Sequence, residues 1–298
     1  MMIEIKTLTK EFDGFRALDE FDMNVPRGAV YGLVGPNGAG KSTAIRHMTG
    51  IYRPTRGAVL IDGQPVYENP AVKGRIAYIP DELFFFTQAS IRDMADFYRS
   101  VYPCFSKERF EKLRAAFDLD EKRPIRKFSK GMQKQAAFWL ALAQCPDIVV
   151  LDEPVDGLDP VMRRQVWGLL LGEVAEHGTT VVVSSHNLRE LEDVCDHVGI
   201  INHGRMLTER ALSDLQDNIV KVQLALPDGV QLPQGLEVLH SSSTGRLQQL
   251  ILRGRTEELT NVLAAAAPLF MDFVPLTLEE IFIYELGGAE HEAKDIVL

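Results

Sequence analysis

Short apolar runs alternate with turn-forming residues along much of the chain, a pattern that predicts strands of a sheet. Residues 148–151 and 180–184 are almost continuously apolar, which is typical of strands that are buried on both faces. We predict helices over residues 161–176 and 187–196, and this alternation indicates an α/β fold with a largely parallel sheet. The predicted strands of this part are Ile3–Ile5, Phe21–Val25, Ala29–Val34, Gly57–Gly63, Ile76–Ile79, Ile148–Leu151, Thr180–Ser184 and Val198–Ile201.

The pattern changes between residues 88 and 145, where apolar positions recur with helical period. One helix is expected to begin just after Ser129, because serine is a favoured N-cap residue. We therefore predict a mostly helical subdomain of about residues 88–145, inserted in a larger domain of residues 1–218.

A second change follows at about residue 218, and residues 219–298 are expected to form a small α+β region with an accessory or dimerisation role. The residues after Gly287 and Gly288 are polar and are expected to form a loose tail. The elements predicted here are strands at Val220–Leu224 and Leu247–Leu252, a helix at Thr256–Ala266, and turns at Pro227–Gly229 and Ser241–Gly245.

Composition narrows the classes of function. Apolar residues make up 46% of the chain, and the formal net charge of −10 argues against a nucleic-acid partner, because phosphate backbones repel an acidic protein. The three cysteines are widely spaced and are expected to be free thiols in a reducing compartment. No run approaches the 18 or so apolar residues of a membrane span. We expect a soluble, cytoplasmic chain that reaches a membrane only through a partner.

The most specific motif is the run Gly35–Thr43, which fits the phosphate-binding pattern G-x-x-x-x-G-K-[ST] between a strand-like and a helix-like segment. Its glycines allow backbone N–H groups to surround phosphates, and the following helix adds the positive end of its dipole. In this motif the lysine reaches the β- and γ-phosphates, so that Lys41 is also a candidate catalytic residue, and the serine ligates Mg²⁺. The candidate nucleotide-binding residues are Gly35, Asn37, Gly38, Ala39, Gly40, Lys41, Ser42 and Thr43.

A pair of carboxylates follows the apolar run at residues 148–151. Strands of a parallel sheet deliver their carboxyl-terminal residues to the crevice where ligands bind. Asp152 is therefore a candidate Mg²⁺ ligand, and Glu153 a candidate general base for the attacking water.

Further motifs stand in the same order and spacing as in the ATP-binding cassette (ABC) ATPases, and residues 1–215 resemble that family. The segment Phe128–Gln133 is similar to the family's signature motif, Pro154–Pro160 to its D-loop, and Ser184–His186 to the segment that ends in its switch histidine. Phe12 stands where the family has an aromatic residue that stacks on adenine. The resemblance implies a P-loop NTPase cassette with a mixed sheet, a helical subdomain and the small α+β appendage.

The resemblance also implies a mechanism. Two chains are expected to pair head to tail with two ATP molecules between them, as a homodimer or a heterodimer. The signature then meets the γ-phosphate held by the other subunit, and His186 contacts the γ-phosphate as a donor that pre-positions it. The residues implied to bind nucleotide in addition to the phosphate loop are Phe12, Ser129, Gly131, Met132 and Asp159.

Three positions depart from the family pattern. Lys130 replaces the first signature glycine and Met132 the usual glutamine, while Ser129 and Gly131 are kept. Asp81 stands in place of the Q-loop glutamine, and because a carboxylate binds Mg²⁺ through water, we keep it as a candidate metal ligand.

The adjacent apolar run, Leu83–Phe86, has two interpretations. It packs under the helical subdomain, or it forms a hydrophobic patch on the surface that receives a helix of a membrane partner, as this region does in ABC transporters.

The signature form and the ending Leu276–Tyr284 resemble the ATPase subunits of ABC-2-type exporters, within which the small bacterial multidrug and antimicrobial-peptide resistance cassettes are most similar. The resemblance implies an ATP hydrolase that uses ATP and Mg²⁺ and powers an exporter through an integral membrane permease, at the inner face of the cell membrane. The alternative is a soluble ABC ATPase that remodels a non-membrane partner. The translation type of this family usually has two cassettes and the repair type a long coiled-coil insert, and neither feature is present here.

Overall fold

A computed structural model describes residues 1–155, 157–186, 188–212, 214, 219–227, 229–274 and 276–285. The described residues fall into two compact units. The first comprises Met1–His186 and Val194–Glu209, and the second Asn187–Asp193 and Arg210–Leu298. The predicted domain boundary at 218/219 and the predicted polar tail stay predictions, since residues 215–218 and 286–298 lie outside the described residues.

The first unit contains two sheets. A four-stranded antiparallel sheet has the order β2-β1-β4-β5, and a six-stranded sheet has the order β10-β9-β3-β8-β7-β6. The strands are β1 (Ile3–Phe12), β2 (Phe15–Val25), β3 (Val30–Val34), β4 (Arg56–Ile61), β5 (Gln64–Pro65), β6 (Ile76–Ile79), β7 (Ile148–Asp152), β8 (Thr180–Ser185), β9 (His197–Asn202) and β10 (Arg205–Ala211).

Helices cover the six-stranded sheet and form the insert. The insert is mostly helical, as predicted, and Ser129 is the N-cap of its last helix. Ser90 and Asp93 form a capping box at the start of another. The helices are α1 (Lys41–Met48), α2 (Pro70–Lys73), α3 (Ile91–Val101), α4 (Lys107–Phe117), α5 (Lys130–Leu142) and α6 (Pro160–His177), with a 3₁₀ turn at Ile125–Lys127.

The parallel register of the central strands determines which side chains meet at their carboxyl ends. Strand β8 lies between β3 and β7, so that Ser184 is level with both Leu33 and Asp152. Every residue of these three strands is buried, as the apolar runs predict for strands with both faces covered. The phosphate loop after β3 and the carboxylates at the end of β7 therefore emerge at the same edge.

The second unit has an antiparallel sheet of order β12-β13-β11-β14, in which β11 pairs with β13 and β14. One face of the sheet is covered by α7, whose Leu259 and Leu263 pack against Val222, Leu224 and Leu250. The elements are β11 (Ile219–Ala225), β12 (Glu237–Thr244), β13 (Leu247–Arg253), α7 (Thr256–Ala264), β14 (Phe270–Val274) and α8 (Leu278–Glu285).

Two predicted elements are wrong. The apolar spacing of residues 187–196 predicts a helix, but the structure has a 3₁₀ turn at Leu188–Glu190 followed by further turns. The chain must extend at Asp196, whose N–H donates to Val30 O at 3.0 Å at the start of the β9 pairing. The predicted turn at Ser241–Gly245 is mostly strand, because β13 supplies a full pairing ladder to its serines, and the turn lies at Gly245 and Arg246.

Candidate functional site

The phosphate loop joins the end of β3 to the first turn of α1. Gly40 is the N-cap of α1 with a left-handed φ of 112°, and no side chain caps the helix. The backbone N–H groups of the first turn are therefore available to an anion. Gly35 allows a close approach, because a Cβ there would lie 2.2 Å from the carbonyl oxygen of Ile201.

A cleft of about 430 Å³ opens beside this loop. Two aromatic side chains from the β1–β2 hairpin lie along it, with Phe12 38% exposed and Phe15 67% exposed. The lining residues are Phe12, Phe15, Ala17, Pro36, Asn37, Gly38, Gly40, Lys41, Ser42, Thr43, Asp81 and Glu153. Most of the residues predicted for the phosphate subsite thus surround one cavity, together with Asp81 and Glu153.

Lys41 is buried at the floor of the cleft, with 6% of the residue exposed. Its ammonium donates to the carbonyl oxygen of Gly35 at 2.6 Å and to that of Pro36 at 3.3 Å. The same nitrogen lies 3.4 Å from Oε1 of Glu153. The buried cation is thus held among acceptors, at the place where phosphate charge is expected.

Ser42 and Asp152 meet across the loop and the end of β7. The Ser42 hydroxyl donates to Oδ1 of Asp152 at 3.1 Å, and the Ser184 hydroxyl donates to the same oxygen at 2.7 Å. Asp152 is thus a buried carboxylate held by two hydroxyl groups. Burial, and to a smaller extent the charge of this carboxylate, raises the pKa of Tyr78 to about 12.

Glu153 follows Asp152 and faces both Lys41 and His186. Nδ1 of His186 lies 2.9 Å from Oε2 of Glu153, and because an ionised carboxylate only accepts, Nδ1 is the donor. Glu153 has a left-handed φ of 46°, which is uncommon for a residue with a side chain. The structure therefore brings the three candidate catalytic side chains, those of Lys41, Glu153 and His186, into one chain of contacts.

These oxygens suit a magnesium ion. Ser42 and Asp152 supply a hydroxyl and a carboxylate, which are ligand types that Mg²⁺ prefers, and they already converge. Over the described residues there is no cluster of three or more His, Cys, Asp or Glu side chains that would hold a metal alone. A Mg²⁺ ion here would take its remaining ligands from water and phosphate oxygens.

The signature residues lie at the start of α5 and outside the lining of this cleft. The Ser129 side chain accepts from the N–H of Met132 at 3.3 Å, and a Cβ on Gly131 would lie 3.2 Å from the carbonyl oxygen of Gly157. Asp159 caps α6 through the N–H groups of residues 161 and 162. Their contacts with nucleotide stay predictions, and so do the site roles of the other residues.

Several residues at this site were not predicted from the sequence. Phe15 follows the turn signal Asp13-Gly14, which indicates a hairpin and could have placed Phe15 opposite Phe12. Ser184 contacts Asp152 and also accepts from the backbone N–H of Glu153 at 3.1 Å. Lys134 of α5 donates to the backbone carbonyl of Glu153 at 2.8 Å. Neither contact has a signal in the linear sequence.

The residues of the run Leu83–Phe86 differ in exposure, so that neither packing under the helical subdomain nor an exposed hydrophobic patch describes all four of them. Leu83 and Phe85 are half-buried, whereas Phe84 is 80% exposed. Phe86 is also exposed and contacts the ring of Phe97 on α3 at 4.9 Å between centroids. We call Phe84, Phe86 and Phe97 the aromatic patch. Among the described residues, none of the helices has the length and hydropathy that a membrane span requires.

The cysteines are free, as predicted, with Cys104 exposed and Cys195 buried. Burial raises the pKa of the Cys195 thiol.

Comparison with known proteins identifies the family of this chain. The profile of the family described as "ABC transporter" matches residues 18–156. The chain is 31% identical to the ABC transporter ATP-binding protein YtrB of Bacillus subtilis over 96% of this chain and 99% of that protein. It is 34% identical to the daunorubicin/doxorubicin resistance ATP-binding protein DrrA of Streptomyces peucetius, over 73% of this chain and 67% of that protein.

A solved structure described as the ATP-binding subunit of an ABC transporter superposes with a TM-score of 0.68 at 28% identity, over 72% of this chain and 92% of that chain. The predicted α/β cassette fold is confirmed by this likeness. The chain therefore belongs to the ABC transporter family of ATPases, as an ATP-binding subunit.

Proposed function

We propose that this chain hydrolyses ATP to power an exporter through a separate membrane permease. The observation that carries the proposal is the convergence of Lys41, Ser42, Asp152, Glu153 and His186 at one edge of the sheet. This set combines a cation for phosphates, oxygens for a metal ion and a carboxylate beside a histidine, which together suit phosphoryl transfer to water.

Each residue has a role that follows from its place. Lys41 and the N–H groups of α1 bind the phosphates, and the aromatic side chains along the cleft stack on the base. Glu153 accepts the proton of the attacking water, since its carboxylate lies within 3.4 Å of the lysine that binds phosphate. His186 orients Glu153 by donating from Nδ1 to its carboxylate, which leaves Nε2 as the ring nitrogen that contacts the γ-phosphate. A bound Mg²⁺ ion would be held by Ser42 and Asp152 and would supply positive charge to stabilise the phosphates.

The proposal includes a head-to-tail pair of subunits. Its support is that Ser129 and Gly131 begin a helix and lie outside the lining of the cleft, so their anion site is available to a second subunit.

A mixing experiment tests this arrangement. Lys41→Ala disables the phosphate loop, and Ser129→Asp keeps a good N-cap while placing a negative charge at the signature. Each variant alone is expected to be inactive. In a mixed pair one composite site retains an intact loop and an intact signature, so an equal mixture should recover up to about a quarter of the wild-type activity. Lack of any recovery, with mixed pairs detected by cross-linking, contradicts the arrangement in trans.

The aromatic patch supports a membrane partner. Three neighbouring aromatic side chains exposed to solvent favour an interaction site. Export is supported by the similarity in sequence to DrrA, a resistance protein by its name.

Affinity purification from native membranes tests this part of the proposal. The wild-type chain should capture an integral membrane protein, and Phe84→Ser with Phe86→Ser should lose it while hydrolysing ATP. Phe270→Ser, which changes another exposed phenylalanine, is the matched control. Capture of a soluble protein alone, with no chain in the membrane fraction, would favour the remodelling alternative.

A further inference from the structure

The backbone of Glu153 is held on both sides by side chains from other elements. Its N–H donates to the Ser184 hydroxyl at 3.1 Å, and its carbonyl accepts from the Lys134 ammonium at 2.8 Å. Ser184 belongs to β8, which follows Glu153 in the sequence, and Lys134 belongs to α5, which precedes it.

Lys134 is an unusual residue at this place. Only 7% of it is exposed, although ammonium groups are rarely buried without compensation, because removing the charge from water is costly. Its helix is anchored by buried side chains, among them Phe138 and Trp139, and Trp139 donates to the carbonyl of Phe110 on α4 at 2.8 Å. A buried lysine on an anchored helix is a fixed donor, which distinguishes it from a solvated surface lysine.

The residue that this donor contacts, Glu153, has an uncommon backbone conformation. A left-handed φ of 46° is disfavoured for glutamate and persists only where the surroundings determine it. In this conformation the carboxylate faces Lys41 and His186. A peptide that relaxed to an ordinary φ would redirect the Cα–Cβ bond and move the carboxylate from both partners.

We propose that Lys134 is a positioning residue for hydrolysis, which holds Glu153 in its left-handed conformation through the backbone carbonyl. The inference rests on the proposed role of Glu153 as the general base. Lys134 is not itself among the residues that line the cleft, and it contacts this lining at the backbone of Glu153. It lies on the helix that Ser129 begins, so a single rigid element connects the signature with the base.

The test compares three lysine variants. Lys134→Met removes the donor at nearly constant volume, Lys134→Arg keeps a cationic donor, and Lys112→Met alters an exposed lysine of α4 as the matched control. We expect Lys134→Met to lower kcat at least tenfold while the Kd for ATP changes less than twofold. Lys134→Arg should recover at least part of kcat, and Lys112→Met should match the wild type.

Hydrogen exchange gives a second measurement, which does not depend on ATP turnover. Hydrogen exchange of peptides that span residues 150–155 should rise in Lys134→Met, because the Glu153 N–H loses its fixed geometry, while peptides of β3 remain protected. Unchanged exchange and a kcat within twofold of the wild type would overturn the proposal. Increased exchange across the whole chain, with a loss of thermal stability, would also overturn it, since Lys134 would then be structural.

A double variant separates this inference from the proposed function. If Lys134 acts through Glu153, Lys134→Met should not lower the residual single-turnover rate of a Glu153→Gln chain any further. If Glu153→Gln alone retains turnover, the role of Glu153 fails and the inference fails with it. If Glu153→Gln is inactive but Lys134→Met turns over normally, only the inference about Lys134 fails.

Discussion

The ammonium of Lys41 lies 3.4 Å from Oε1 of Glu153, so the buried cation of the phosphate loop forms an ion pair with the half-buried carboxylate after β7. The lysine also donates to Gly35, and the carboxylate is also held by His186. Any phosphate that binds Lys41 must share the ammonium with Glu153. The groups for binding and for hydrolysis are therefore electrostatically connected.

Replacing Glu153 with glutamine should abolish turnover without weakening ATP binding. The amide cannot accept the proton of water, and Lys41 loses a competing negative charge. We expect kcat to fall at least about a hundredfold, in line with the contribution of a general base. Calorimetric titration should give an equal or lower Kd for ATP, and size-exclusion chromatography with ATP should show a trapped dimer.

The control for this variant is Glu82→Gln, which makes the same chemical change on an exposed side chain outside the cleft lining. A Glu153→Gln chain that remains monomeric and still hydrolyses ATP would contradict the role of Glu153.

Replacing Lys41 with alanine should remove most of the affinity for ATP. A charge-assisted hydrogen bond is worth about 1.5–3 kcal/mol, so we expect Kd to rise at least about tenfold. Calorimetric titration of ATP measures the change, and Lys6→Ala, on an exposed lysine paired with Glu4, is the control. An unchanged titration would exclude Lys41 as the main cationic partner of the phosphates.

The aromatic residue that stacks on the base can be identified by comparing the binding of ATP with that of a ligand that has the phosphates but no base. The Phe12 ring is positioned by an edge contact with Tyr52 at 5.4 Å between centroids and by Lys10, whose ammonium lies 4.8 Å from the ring centroid. Phe12→Ala should weaken ATP binding by about 1–3 kcal/mol and leave the affinity for inorganic tripolyphosphate unchanged.

Phe15→Ala is the comparison for this prediction, because Phe15 lines the same cleft from the other strand of the hairpin. If the loss of ATP affinity follows Phe15→Ala and not Phe12→Ala, the base stacks on Phe15 and the assignment of Phe12 is wrong.

Acid should destabilise the folded protein through His47, which lies in α1, the helix that follows the phosphate loop. This residue is buried in α1, and its Nδ1 donates to the carbonyl of Thr43 at 2.7 Å. Burial lowers the pKa of His47, so the folded state keeps it neutral while an unfolded chain protonates at about pH 6.5. The unfolded state then binds more protons, and the free energy of unfolding must fall as the pH drops below about 6.5.

Urea denaturation at pH values between about 7.5 and 5.5 measures this dependence. His47→Gln should flatten the dependence on pH, while His177→Gln, on an exposed histidine, should leave it as in the wild type. An equal slope in wild type and His47→Gln would show that His47 does not contribute.

The parts of the site that the sequence predicts most completely are those whose residues are contiguous in the chain. The phosphate loop, the apolar strand before Asp152 and the N-cap at Ser129 are each encoded by neighbouring residues. Local backbone geometry and local capping follow from such short segments, so the elements that carry them were predicted correctly. The family was recognisable from these motifs for the same reason.

The wrong predictions lie where a local pattern of residues is compatible with two structures. The apolar spacing of residues 187–196 fits a helix, but the β9 pairing that begins beside Val30 requires an extended chain at Asp196. The serines of β12 favour turns by themselves and become a strand because β13 pairs with them. In both places a distant segment decided the outcome.

The sequence by itself determined the residue types of the site, their order along the chain, and the strand and helix that present the phosphate loop. Only the tertiary structure decided that Lys41 faces Glu153, that Ser184 connects Asp152 with Glu153, and that Lys134 reaches the Glu153 backbone. The physical reason is that apolar runs specify burial but not the order of strands in a sheet. The position of β8 between β3 and β7, together with the packing of α5, creates contacts that no short segment encodes.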